Sequence, residues 1–175
     1  MDPHADLSPS PWVQRWLPLV RPGGAVLDVA CGAGRHSRLM ARMGFEVDAV
    51  DRDPGAFAVP PAGVSLVGAD IESGPWPYAG RRFDAIVVTN YLHRKLVPTL
   101  VDSLGPGGIL LYETFARGNE RFGKPSNPAF LLAPGELLEM VRGRLRVLAY
   151  EDLVVDQPRP AAVQRLCARQ ESAAS

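Results

Sequence analysis

The chain carries no excess of either charge, since nineteen Lys and Arg balance nineteen Asp and Glu. It lacks the field that draws a protein to nucleic acid or to an anionic membrane, so neither is expected as a partner. Cysteine is scarce as well. Cys31 and Cys167 stand far apart, which excludes a disulfide framework and fits a reducing compartment, so a cytoplasmic location is expected. No apolar run approaches the length of a membrane span, and the acidic, proline-bearing N-terminus lacks the pattern of a signal peptide. There is no internal repeat and no linker, and no metal site is expected. With 46% hydrophobic and 22% charged residues over 175 positions, the composition is that of one globular domain with a substantial core, spanning 1–175. Residues 1–10 and 171–175 are polar or proline-broken and are expected to be mobile.

What the chain does have is a strand, a small-residue turn and a helix between Ala25 and Ser37, AVLDVACGAGRHS. Val26, Leu27 and Val29 suit a buried strand, with Asp28 near its end. Ala30-Cys31-Gly32-Ala33-Gly34 is a turn in which glycine admits a ligand where a Cβ would block it, and a helix starts at Arg35. A plain tight turn also uses glycine, so this stretch alone leaves both readings open. Phe45 to Val50 alternates as a strand and ends at Asp51, nineteen residues after Gly32. At that distance a nucleotide-binding βαβ unit carries the acid that accepts from ribose hydroxyls, whereas the alternative is that Asp51 caps the turn with Asp53.

Around this unit, Ser10 and Pro11 read as the cap and first position of an apolar-striped helix. Prolines between Asp53 and Arg82 leave room for short connecting helices at most. Strands are expected at Val64–Val67, Asp84–Thr89 and Ile109–Tyr112, with helical spacing over Leu92–Leu104 that either starts near Val97 or kinks at Pro98. A further helix is expected after Pro134, and a closing antiparallel hairpin at Leu145–Val155 and Ala161–Ala168. The sum is an α/β fold, a doubly wound, mostly parallel seven-stranded Rossmann-like sheet with one antiparallel strand. Thr114 to Ala133 is too long for a plain connection and reads as a lid that completes a site, against the alternative of a disordered excursion.

Four separated segments carry a family resemblance over about Val26 to Ala168. VLDVACGAG resembles the first motif of the class I S-adenosylmethionine-dependent methyltransferases, and VDAVDRDP their second-strand acid. GADIESGPWP with RRFDAIVVTN is similar to the adenine-contacting loop and fourth strand, and LGPGGILLYE to the turn into strand five. NYLHR and ETFARGNERFGKPSNPAFLLAPGEL look most like the small tellurite-resistance-type members. Ala30 departs from the pattern, standing where the family often has glycine.

The resemblance implies a methyltransferase that binds S-adenosyl-L-methionine through Asp28, Ala30, Gly32, Gly34, Asp51, Arg52, Asp70, Ile71 and Asn90. It implies methyl transfer to a small-molecule acceptor, including a soft sulfur or chalcogen nucleophile. An NAD-dependent oxidoreductase, or a non-catalytic cofactor-binding or partner module, is the competing reading. His93 is the candidate general base, or else a histidine satisfied at a helix start. Tyr91 orients the acceptor or packs on the methionine chain. Glu113 contacts substrate or anchors a loop, and Arg121 and Phe122 are candidate substrate contacts. His36 is expected to pack or cap rather than catalyse.

Overall fold

The computed structural model describes residues 8–172, so residues 1–7 and 173–175, on which much of the expected terminal mobility falls, lie outside the described residues. Seven strands form one sheet: β1 (Ala25–Val29), β2 (Glu46–Asp51), β3 (Val64–Gly68), β4 (Phe83–Thr89), β5 (Leu104–Phe115), β6 (Arg146–Val155) and β7 (Ala161–Arg169). Their order across the sheet is β3-β2-β1-β4-β5-β7-β6. The pairs from β3 through β5 are parallel, and β7 runs antiparallel to both β5 and β6, which is the expected doubly wound sheet with one reversed strand.

Branched apolar residues explain the centre. In β4, Ala85 and Val87 face one layer while Ile86 and Val88 face the other, and all four are buried. A strand apolar on both faces belongs inside a parallel sheet with helices on each side. On one face lie α1 (Pro11–Trp16) and α2 (Arg35–Arg42), which contribute Trp12, Val13 and Met40. On the other lie α3 (Val97–Asp102) and α4 (Glu136–Val141), which contribute Leu100, Val101, Leu137 and Val141. Ser10 caps α1 as expected, its Oγ accepting from the backbone N–H groups of Trp12 and Val13, with Pro11 in the first turn.

The connections differ more from expectation than the strands do. Between β3 and β4 there is no helix, and Tyr78 fills the space, edge-on to Phe83 at 5.5 Å and to Trp76 at 5.4 Å. The fifth strand, expected at Ile109–Tyr112, is longer at both ends. The Gly105–Gly108 turn is absorbed as an irregularity in its pairing with β4, and Thr114 and Phe115 pair with Gln164 and Val163 of β7. Extra partners on the far side of a strand extend it beyond what its own pattern shows.

The segment Thr114–Ala133 is tied down rather than unstructured. It holds two short 3-10 turns, Asn119–Arg121 and Pro128–Phe130, and a bridge from Ala116 to Leu132. Asn119, only 1% exposed, accepts from the Ala162 N–H at 3.2 Å and donates to the Pro125 carbonyl at 2.9 Å. Arg94 donates to the carbonyls of Ala129 and Leu131 and pairs with Glu136. Backbone groups of a long loop need partners when covered, and these two side chains supply them.

Candidate active site

The chain order reverses between β1 and β4, and in such sheets the crevice at the strands' carboxyl ends is where ligands bind. A cavity of about 910 Å³ opens there. One part is walled by the Ala30–Ala33 turn, Glu72 and Asn90–Leu92, another by Ser8, Ser10 and Pro11 at the start of α1, the end of β5 and the loop after it, and the β6–β7 hairpin.

The turn after β1 alternates left-handed residues at Ala30 (φ 52°), Gly32 (φ 54°) and Gly34 (φ 84°). Its two glycines serve different ends. A Cβ on Gly32 would meet nothing within 4 Å and would project into open space, while one on Gly34 would stand 2.3 Å from the Phe57 ring. The first therefore keeps the cavity clear and the second lets the turn pack. Ala30 holds a left-handed conformation that favours glycine, which accounts for the family's usual residue there and leaves about 1 kcal/mol of strain in this chain. The turn is held from β2: Asp51 Oδ2 accepts from the Gly32 N–H at 2.8 Å, and Oδ1 from the Asp53 N–H at 2.9 Å. Asp51 thus caps the turn with Asp53 and braces Gly32, and each of its carboxylate oxygens keeps a lone pair for a further donor.

Asp28 lies under the turn and off the cavity wall, 2% exposed, and accepts from Ser37 Oγ at 2.6 Å. Burial pushes its pKa up to about 6, against the hydrogen bonds from Ser37. It ties β1 to α2. Asp70 accepts from the N–H groups of Glu72 and Ser73 and from Ser73 Oγ, which holds it below the usual carboxylate range. Asp70 and Ile71 thus shape a loop whose cavity-facing residue is Glu72. Arg52 is exposed nearby. Asn90 reaches the wall in a left-handed conformation (φ 53°), its N–H donating to the Glu113 carbonyl.

Tyr91 and His93 separate. Tyr91 lines the cavity and donates from its hydroxyl to Glu72 Oε1 at 2.9 Å, and burial followed by that bond raises its pKa. His93 is not on the cavity wall, and its Nδ1 lies 4.0 Å from Glu72 Oε2. The imidazole on the wall is that of His36, for which the expectation is packing or capping rather than catalysis. Its Nε2 accepts from the Ser10 N–H at 2.9 Å, so Nδ1 carries the proton and donates to Thr89 Oγ1 at 3.3 Å. Burial, then the Arg35 charge, lowers its pKa to about 3. His36 is a neutral, fully occupied strut.

Glu113 does reach the cavity, paired with Arg165, whose Nη1 lies 3.1 Å from Glu151. The three residues sit in register across β5, β7 and β6. Arg121 and Phe122 are not on the wall. Arg121 stacks on Phe122 at 5.3 Å, and that loop's contribution comes from Lys124–Asn127 and Phe130 instead. Arg35, which directly follows the turn, also lines the cavity, although no sequence motif singles it out. Arg165 and Asn119 carried no signal, because their partners lie 52 and 43 residues away.

The model of a family described as a methyltransferase domain matches residues 26–108. Residues 26–108 are thus similar to a methyltransferase domain, which supports the class I S-adenosylmethionine-dependent methyltransferase resemblance. A protein-L-isoaspartate O-methyltransferase of Methylorubrum extorquens is 33% identical over 119 residues, covering 59% of this chain. The chain spans about half (52%) of that relative's length. Among solved structures, TehB from Haemophilus influenzae superposes with a TM-score of 0.76 at 20% identity, over 91% of this chain and 61% of that one. An S-adenosylmethionine-dependent methyltransferase from Mesorhizobium loti gives 0.72 at 19% identity, over 91% and 96%. At such identities the superpositions show the fold alone.

The residues present fit this methyltransferase family's cofactor. Gly32 leaves a space that a Cβ would fill, and Asp51 presents acceptor capacity beside it. Among the described residues, no group of three or more His, Cys, Asp or Glu is arranged to hold a metal, and no helix is long and apolar enough to cross a membrane.

Proposed function

We propose that the protein transfers a methyl group from S-adenosyl-L-methionine to a small-molecule acceptor, and that the acceptor atom is a soft sulfur or chalcogen nucleophile. The observation that carries the reading is the continuity of one cavity from Gly32 to Glu113 and Arg165. Asp51 would hold the ribose hydroxyls, the Ala30–Ala33 turn the methionine portion, and Asn90 and Tyr91 the boundary between the two ligands. When bound, S-adenosylmethionine supplies an electrophilic methyl group on a sulfonium centre. The chain's own part is to align the acceptor and to exclude water.

Softness of the acceptor follows from the bases at hand. His36 has both ring nitrogens engaged and a pKa near 3, His93 lies off the wall, Glu113 is committed to Arg165, and Glu72, the other carboxylate on the wall, accepts from the Tyr91 hydroxyl. A thiolate-type acceptor needs no proton removed during attack, so it suits a site without a free base. Positioning then falls to Tyr91, held by Glu72. The glycine turn and Asp51 would serve a nicotinamide dinucleotide equally well, but the match of residues 26–108 to a methyltransferase domain supports S-adenosylmethionine instead. The two free thiols fit a reducing cytoplasm.

Calorimetry with S-adenosylhomocysteine tests the cofactor half. A screen for its release from S-adenosylmethionine tests the rest, across small thiols, chalcogen oxyanions, amines, phenols and an isoaspartyl peptide. Binding together with turnover on a thiol or chalcogen acceptor is expected. A folded protein that binds no S-adenosylhomocysteine ends the proposal, and turnover confined to amines, phenols or the peptide ends its acceptor half.

A further inference from the structure

The cavity wall carries charges that the proposed methyl transfer does not use. Four basic side chains, Arg35, Lys124, Arg159 and Arg165, line it against two carboxylates, Glu72 and Glu113. Arg165 is already neutralised by Glu113 and Glu151. Arg35 is not. Its Nη1 donates to the Ser8 carbonyl at 3.0 Å, and among the described residues no carboxylate lies within ion-pair distance of it. It is half-buried on the wall, where removal from water works against its charge, so it holds a desolvated guanidinium with donors to spare. Lys124 and Arg159 stand exposed at the lips, one on the loop after β5 and the other on the turn between β6 and β7.

Between these charges the wall is apolar: Pro11, Phe115, Phe130, Val155 and Val163 face the same space. Phe130 is 53% exposed, although its loop is pinned by Arg94 and Asn119. Size matters too. At roughly 30 Å³ per water, the cavity holds on the order of thirty waters, and an inorganic oxyanion displaces only about two or three. Such an ion would leave the apolar strip wet after the cofactor had filled its own end.

We infer that the acceptor is an organic anion with an apolar body, its anionic group held by Arg35 and its body lying along Phe115, Phe130 and Val163. Lys124 and Arg159 draw it in, since basic groups at the lips of a low-dielectric cleft raise the local concentration of anions. The inference rests on the methyltransferase reading but concerns a different part of the site. A carboxylate is the anion whose geometry a guanidinium matches best.

The test is a calorimetric and thermal-shift panel on the protein saturated with S-adenosylhomocysteine. It pairs aryl and short-chain carboxylates (1-naphthoate, 3-phenylpropionate, 2-mercaptobenzoate) with their neutral amides, and adds selenite as the inorganic anion. At least one carboxylate is expected to bind about tenfold or more tightly than its amide and than selenite, as one charge-assisted pair would give. Arg35→Met is expected to abolish that preference and Arg35→Lys to restore part of it. The lip variant Lys124→Met/Arg159→Met, which alters only exposed side chains, should slow carboxylate association and flatten its salt dependence. In the lip variant, affinity for S-adenosylhomocysteine should stay within about twofold. Selenite or an amide binding as well as every carboxylate, or no carboxylate binding at all, overturns the inference. Failure to bind S-adenosylhomocysteine would instead strike the function proposed above, so the two failures are distinguishable.

Discussion

The cavity's two ends are made of different material. At the β1–β4 end the wall is largely backbone, with left-handed residues 30, 32 and 34 in one turn and Asn90 in another, braced by Asp51. At the β5–β7 end it is largely side chain, set on three segments far apart in the chain and fixed by Asn119, Arg94 and the Glu113–Arg165–Glu151 row. Backbone geometry tolerates few residue types, so the first end is narrow in what it accepts. A side-chain wall can be re-lined without refolding, so one scaffold can serve many acceptors. The family match reflects this division, since it covers residues 26–108 and stops before every residue that follows β5.

The sharpest way to break the comparison lies within a single turn. Gly34→Ala drives a methyl group into buried Phe57 and should cost about 2–5 kcal/mol of stability in urea unfolding, by overpacking plus left-handed strain. Gly32→Ala meets no protein atom, so it should cost only about 1–2 kcal/mol while weakening S-adenosylhomocysteine binding at least about tenfold. Equal effects of the two substitutions on stability and on binding would remove the distinction between a packing glycine and a ligand glycine.

Acid unfolding separates the two ends by sign. Asp28, under the backbone end, has a pKa raised from 3.8 to about 6. Its folded form binds the extra proton, so it adds stability as pH falls from about 6 towards 4. His36, under the side-chain end, has a pKa lowered from 6.5 to about 3, so its contribution is full above 6.5 and is lost as pH falls. Between pH 7 and 4 each contributes about 3 kcal/mol, in opposite directions. Asp28→Asn should therefore steepen the acid loss of stability by about that amount, and His36→Gln should make it shallower. Urea titrations at pH 4, 5, 6 and 7 check both. Slopes that move the same way in the two variants would contradict the assignment.

Smaller effects are expected at single contacts. Asp51→Ala removes the brace of Gly32 and the proposed ribose acceptor, and should lose about 1.5–3 kcal/mol in S-adenosylhomocysteine affinity by calorimetry. At the other end, Phe130→Ala should raise the acceptor KM several-fold with cofactor affinity intact. Phe122→Ala should change neither by more than about twofold, because its ring lies off the wall and only exposed contacts are lost. An effect of Phe122 equal to that of Phe130 would return the loop to the broader role its sequence suggests.

The strands were legible wherever branched residues ran together, as in Val26–Val29 and Ala85–Val88, because burial on both faces leaves a contiguous signature. Asp51 was legible through its spacing from Gly32, which a βαβ unit keeps nearly constant. The length of β5 was not, since Thr114 and Phe115 owe their strand conformation to β7. Nor was the division of labour between His93 and His36, which depends on which ring the Ser8–Ser10 segment and Thr89 enclose.

By itself the sequence determined the parts whose physics is local: the capped start of α1 at Ser10, the sheet's alternation with short helices, and the glycine turn with its acid. Only the tertiary structure decided that Arg165 joins Glu113 and Glu151, that Asn119 pins the loop after β5, and that Arg35 is left facing the cavity without a carboxylate. Those facts are long-range because a side chain's charge partner is chosen by the packing of elements tens of residues apart. No spacing in the chain encodes that choice.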